Sequence, residues 1–196
     1  MKKLVLVYFS PTHGTRTLLR KVAEGTGAET VEEWDLTLAA GRERADWKID
    51  EEALVVFGAP VYSRRIPSLA MECFRRIRGK HQPTACVVVY GNVAVGDALL
   101  ELVDGARASS LDVVAAASFI AEHSFSEESC RIGHGRPEEE DLDSALAFGR
   151  RIAKKAQAGG GDLPELPGKR PYQEALALPP MGPERTSECT VCLHCQ

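Results

Sequence analysis

Between Leu4 and Ala23 the hydrophobic pattern changes from strand to helix across one short polar turn, and few folds accommodate that change. Leu4–Phe9 is a nearly continuous apolar run rich in β-branched and aromatic residues, as in a strand covered on both faces. From Thr15 to Gly25 the apolar residues Leu18, Leu19, Val22 and Ala23 recur at helical spacing. The turn between them, with Ser10, Thr12, His13, Gly14 and Thr15, brings hydroxyls and backbone N–H groups to the positive end of a helix. That is a seat for a phosphate dianion. The turn has no lysine and is not G-x-x-x-x-G-K-S/T, which argues against a nucleoside triphosphatase. Nor is it G-x-G-x-x-G, so the usual dinucleotide fingerprint is missing.

The same alternation continues along the chain. Strands are expected at Leu4–Phe9, Glu29–Trp34, Ala53–Ala59, Thr84–Tyr90 and Leu111–Ile120, and helices at Thr15–Gly25, Pro67–Arg78, Gly96–Ala106 and Pro137–Ala158. Alternating strand and helix predict an α/β, doubly wound, five-stranded parallel sheet. A phosphate turn after the first strand favours the order 2-1-3-4-5, with ligand beyond the carboxyl ends of the strands. Residues 36–50 read as a solvated connection rather than a full helix. After Lys155 the pattern breaks at Gly159-Gly160-Gly161, and six of the eleven prolines fall between Pro164 and Pro183. The organisation is therefore a domain over 1–158 and, over 159–196, an extended Gly/Pro-rich linker leading to clustered cysteines.

Two further turns lie at the same edge of the expected sheet. Pro60-Val61-Tyr62-Ser63 is stiffened by proline and presents an aromatic ring suited to stacking. Gly91-Asn92 is a tight turn whose backbone can approach a ligand closely. Net charge is −4, which gives no reason to expect nucleic acid. The apolar runs fall short of the roughly 18 residues a membrane span needs. The residues after Met1 form too short an apolar stretch for a signal peptide, so a cytoplasmic protein is expected.

Taken together, Tyr8-Phe9-Ser10-Pro11-Thr12, Gly58-Ala59-Pro60-Val61-Tyr62, Tyr90-Gly91-Asn92, Glu122-His123-Ser124-Phe125-Ser126, Gly135-Arg136-Pro137 and Pro167-Gly168-Lys169-Arg170-Pro171-Tyr172 resemble the bacterial flavodoxin–ferredoxin fusion electron-transfer proteins. The resemblance implies a flavodoxin-like domain holding flavin mononucleotide (FMN), joined to a ferredoxin-type 4Fe–4S module. It implies that Ser10, Thr12, His13, Gly14 and Thr15 bind the FMN phosphate. Pro60, Val61, Tyr62 and Ser63 would line one side of the ring, and Gly91 and Asn92 would approach its pyrimidine edge. His13 stands where flavodoxin phosphate turns commonly have glycine, so a left-handed backbone there would cost about 1 kcal/mol or more. Val93 and Val95 replace the larger residues that relatives often carry.

His123, at the end of the fifth strand, reads first as a hydrogen-bonded structural residue whose tautomer Glu122 could set, and second as a flavin-edge group. Cys73 and Cys86 read as small buried hydrophobes, and Cys130 as inert. Cys189, Cys192 and Cys195 form C-x-x-C-x-x-C, the opening of a bacterial ferredoxin run. The run stops at Gln196 without its fourth ligand. Two readings stand open: a longer chain that completes the cluster, or a remnant that binds zinc or nothing. The 196 residues alone are expected to hold no complete 4Fe–4S cluster.

The function expected is FMN-dependent electron transfer with an iron–sulfur centre, to redox partner proteins such as a ferredoxin or a reductase, without a catalytic side chain. One alternative is an FMN-dependent NAD(P)H:quinone or iron–sulfur flavoprotein reductase. Another is a zinc-binding, non-redox module on the same fold.

Overall fold

The structure is a computed structural model that describes residues 2–44 and 46–174. Five strands, β1 (Lys3–Tyr8), β2 (Thr30–Asp35), β3 (Leu54–Pro60), β4 (Pro83–Tyr90) and β5 (Asp112–Ile120), form one sheet in the order 2-1-3-4-5. Every pairing is parallel. The helices are α1 (Gly14–Thr26), α2 (Ala39–Arg42), α3 (Ser68–Phe74), α4 (Ala98–Ala108) and α5 (Glu139–Gln157). The expected fold is the one observed.

Successive side chains of a strand face opposite ways, and the central strands are apolar on both faces. Val5, Val7, Val55, Phe57, Cys86 and Val88 pack with α3 and α4 on one side. Leu4, Leu6, Val56, Ala85 and Val87 pack with Leu18, Leu19 and Val22 of α1 and Ala145, Phe148 and Ile152 of α5 on the other. Helices α1 and α5 approach so closely that a Cβ on Gly149 would lie 2.1 Å from the Val22 carbonyl oxygen. Cys73 and Cys86 are buried, and burial pushes both thiols up, as inert core residues require.

Most element bounds differ from expectation by one or two residues, and one helix differs by more. Helix α3 ends at Phe74 rather than Arg78, because the Arg76 and Ile77 amides bond to carbonyls three residues back. That tighter turn puts Ile77 into the core, fully buried. The connection over 36–50 is irregular as expected, apart from the single turn α2.

The extended segment 162–174 contains no helix or strand. The segment is extended, as expected, and lies against the domain. Leu163 and Leu166 pack against the α3–α4 side of the core. The Asp97 carboxylate accepts the Lys169 and Gln173 amides at 3.0 and 2.6 Å, and Asp104 accepts the Arg170 guanidinium at 2.8 and 2.6 Å and the Tyr172 hydroxyl. Prolines suppress regular structure here, but a string of anchored amides and charges straps the segment along α4. Cys189, Cys192 and Cys195 lie outside the described residues.

Candidate functional site: a cleft at the strand carboxyl ends

The turns following β1, β3, β4 and β5 converge on a cleft of about 410 Å³. It is lined by Thr12, Gly14 and Thr15 after β1, Pro60–Ser63 after β3, Val89–Gly91 at the end of β4 and residues 121–125 after β5. A second cavity of about 210 Å³ adjoins it, adding Arg64, Val93 and Ala94 and sharing Val61, Ser63, Tyr90, Gly91 and His123 with the first.

The β1 turn is organised from below. Ser10 is buried; its amide donates to Thr37 Oγ1 at 2.9 Å, and its Oγ accepts the Arg16 amide at 3.0 Å. Among the described residues, the N–H groups of Thr12, Gly14 and Thr15 have no partner. Helix α1 also has no acidic residue in its first turn and no side-chain cap. By contrast, α5 carries a capping box from Glu138 and Asp141, with Glu139 and Glu140 alongside. Unlike α5, α1 therefore leaves the positive field of its N-terminus for something else. His13 adopts φ 66°, the left-handed conformation that its glycine-like position foretold. It is exposed and forms no cap bond.

The β3 turn is a two-residue hairpin. Tyr62 and Arg65 exchange both backbone hydrogen bonds at 2.9 Å, and the intervening Ser63 and Arg64 both have positive φ, 49° and 66°. Such turns favour Asn-Gly, so Ser-Arg gave no sequence signal for it. Two strained residues in succession need support. Arg65 supplies it through Glu101, whose side chain is only 8% exposed: Nε and Nη2 donate to the two carboxylate oxygens at 2.8 Å, and Glu101 also accepts the Ile66 amide at 3.1 Å. The same guanidinium donates to the Gln173 carbonyl and lies 4.9 Å from the centre of the Tyr172 ring. The strap and the cleft wall thus share one residue. Tyr62 stands half-exposed at the rim.

Gly91 is required by close approach, though not in the way the sequence suggested. A Cβ there would lie 2.3 Å from Cδ2 of His123, so the missing side chain makes room for the protein's own imidazole. Asn92, with φ 56°, is exposed beyond the cleft and does not line it.

The β5 loop is held by its own returning chain. His123 donates its amide to Ile132 at 3.0 Å, and Glu122 donates to Arg136 at 2.9 Å. The Glu122 carboxylate lies 2.9 Å from His134 Nδ1 and accepts the Gly135 amide at 3.2 Å, which with Ser126 holds it below the usual carboxylate range. It is therefore not the partner of His123, whose Nδ1 instead accepts the Phe125 amide at 3.1 Å.

No family model matches the chain, and no curated protein does. Solved structures do. A flavodoxin from the domain Archaea superposes with a TM-score of 0.53 at 17% identity, covering 79% of this chain and 99% of the other. A WrbA-like flavodoxin from Agrobacterium tumefaciens gives 0.53 at 19%, covering 81% and 99%. Rubredoxin oxygen:oxidoreductase from Desulfovibrio gigas gives 0.55 at 18%, covering 81% of this chain but 37% of that longer one.

The fold is that of the flavodoxins.

Of the residues singled out from sequence, the flavodoxin-like arrangement brings Thr12, Gly14, Thr15, Pro60, Val61, Tyr62, Ser63 and Gly91 to one cleft. Ser10 sits behind it, and His13 and Asn92 flank it. In the fourth loop, Ala121–Phe125, His123 was anticipated only as a second reading, and Ala121, Glu122, Ser124 and Phe125 were missed as lining residues. Their signal was a histidine and a phenylalanine just past a strand end at the ligand-bearing edge of the sheet. Among the described residues, no group of three or more His, Cys, Asp and Glu could hold a metal, and no helix is long and apolar enough to cross a membrane.

Proposed function

We propose that this chain binds FMN in the cleft and serves as an electron-transfer flavoprotein. The observation that carries the reading is the pairing of a bare helix N-terminus with a cavity at the strand carboxyl ends. Three unpartnered amides, a tyrosine and a close-packed glycine turn all belong to its lining. A cavity of about 410 Å³ lies within the range of small-molecule sites, roughly 300–1,000 Å³. The donor set fits the nucleotide. The Thr12, Gly14 and Thr15 amides, with the Thr12 and Thr15 hydroxyls, would hold its phosphate, while Ser10 shapes the turn from beneath. Tyr62 and Val61 would cover the ring. When bound, the flavin supplies one- and two-electron redox chemistry that no amino-acid side chain offers.

The chain's own part is to bind, orient and screen. The rigid hairpin holds Tyr62 in place, and Gly91 and His123 pack together in the lining. Tyr62, Val93 and Phe125 are 45%, 68% and 80% exposed beside the opening. Exposed apolar groups at the mouth suit docking of a protein redox partner, which favours a carrier over a reductase of small substrates. The finer part of the proposal is that the partner centre is an iron–sulfur cluster to which Cys189, Cys192 and Cys195 contribute. It rests on their spacing and on the resemblance to the fusion proteins.

Titration of the purified chain into FMN tests the reading. Flavin fluorescence should fall to a one-to-one end point, and the protein should turn yellow. A chain that stays colourless in excess FMN refutes it. NAD(P)H oxidation by the loaded protein at a sustained rate would favour the reductase alternative.

A further inference from the structure

The fourth loop of the cleft carries a histidine whose tautomer the backbone sets. Resting on the flavin reading and deepening it, we propose that His123 presents its Nε2–H to the acceptor edge of the bound ring and favours the flavin's reduced form. The Phe125 amide can only donate, so His123 Nδ1, 3.1 Å away, must accept. The proton of the uncharged ring then resides on Nε2. Nε2 makes no hydrogen bond among the described residues.

The ring cannot easily turn away. It occupies the space where a Cβ of Gly91 would be. Its backbone is pinned on both sides, the amide to Ile132 at 3.0 Å and the carbonyl to the Ser126 amide at 2.8 Å. Glu122, the adjacent carboxylate, is engaged by His134 and Gly135 and does not compete for the imidazole proton. His123 lines both cavities, and its ring keeps one donor without a partner among the described residues. Reduction of a flavin by two electrons and one proton leaves it anionic. A donor to an anion is stronger than the same donor to a neutral acceptor, so His123 raises affinity for the reduced form more than for the oxidised.

Two substitutions separate this role from a structural one. In His123→Asn the amide oxygen replaces Nδ1 as acceptor for Phe125, and no donor reaches the cleft. In His123→Gln the longer side chain restores a donor near the position of Nε2. FMN affinity is measured by fluorescence, and the two-electron midpoint potential by dithionite titration against reference dyes. His123→Asn should lose about tenfold more affinity for reduced than for oxidised FMN, a fall of about 30 mV for a two-electron couple. His123→Gln should recover most of that fall. In the FMN-free protein, imidazole ¹⁵N shifts should show the Nε2–H tautomer.

An Nδ1–H tautomer overturns the proposal, as do potentials that move equally in both variants or in neither. In those cases FMN binding by the wild-type chain leaves the broader reading standing. A wild-type chain that takes up no FMN removes both.

Discussion

Glu101→Ala tests whether the strained turn beside the cleft depends on a carboxylate from another helix. The substitution removes three hydrogen bonds: two from Arg65 at 2.8 Å and one from the Ile66 amide at 3.1 Å. Breaking a buried ion pair from one side costs roughly 3–5 kcal/mol, because a charge is left without compensation. Arg65 is 19% exposed and retains the Gln173 carbonyl and the Tyr172 ring, so the lower end applies, about 3 kcal/mol. For a chain of this size that lowers the melting temperature by about 6–12 °C. Glu101→Gln keeps an acceptor for Ile66 and for one Arg65 donor and should cost about 1–1.5 kcal/mol.

The loss should not be confined to stability. Ser63 and Arg64 have positive φ, each an uphill conformation by about 1–2 kcal/mol. Without the brace the turn should populate other conformations, and Tyr62 should lose its fixed place at the rim. FMN affinity of Glu101→Ala should therefore fall about tenfold, while that of Glu101→Gln changes less than threefold, on the scale of about 1.4 kcal/mol per tenfold. Thermal melts followed by circular dichroism and FMN fluorescence titrations read the two effects separately. A Glu101→Ala protein that melts within about 2 °C of the parent would refute the brace. One that melts low but binds FMN undiminished would show that the turn holds itself.

Three other outcomes follow from the packing. His13→Gly should raise stability by about 0.5–1 kcal/mol, since relief of a left-handed residue exceeds the added flexibility of the unfolded chain; a lower melting temperature would mean that the imidazole makes a contact worth keeping. Gly149→Ala should cost about 3 kcal/mol, because the new methyl meets a backbone carbonyl that cannot rotate aside, and an unchanged melt would show α1 and α5 free to separate. Asp97 is held below its ordinary 3.8 by the Gln173 and Lys169 amides, and Asp104 by Arg170 and Tyr172. A depressed carboxylate stabilises above its unfolded value and loses that effect as pH falls through its folded one. The strap should therefore hold from pH 7 to 5 and loosen only in acid below about 3.8, read as faster exchange of the Lys169 and Gln173 amides after correction for intrinsic rates. Loosening between pH 7 and 5 would point to anchors other than the aspartates.

Local pattern alone determined the sheet. Leu4–Phe9, Ala53–Ala59 and Thr84–Tyr90 are apolar on both faces, and only a parallel sheet covered by helices on both sides satisfies them. The left-handed backbone of His13 was legible only through the resemblance, because flavodoxin phosphate turns commonly carry glycine at that position. The tertiary structure alone decided everything that depends on residues distant in sequence. Nothing local in Ser63-Arg64 announces a hairpin, since its stability comes from Glu101 on another element. Gly91 looked like an opening for a ligand, yet its space is taken by His123, thirty-odd residues later. The prolines of 162–174 correctly ruled out helix and strand, but whether such a segment hangs free or lies against α4 depends on carboxylates at Asp97 and Asp104. Periodicity records which face of an element avoids water. It does not record which distant donor meets which acceptor, and in this cleft those meetings fix the walls.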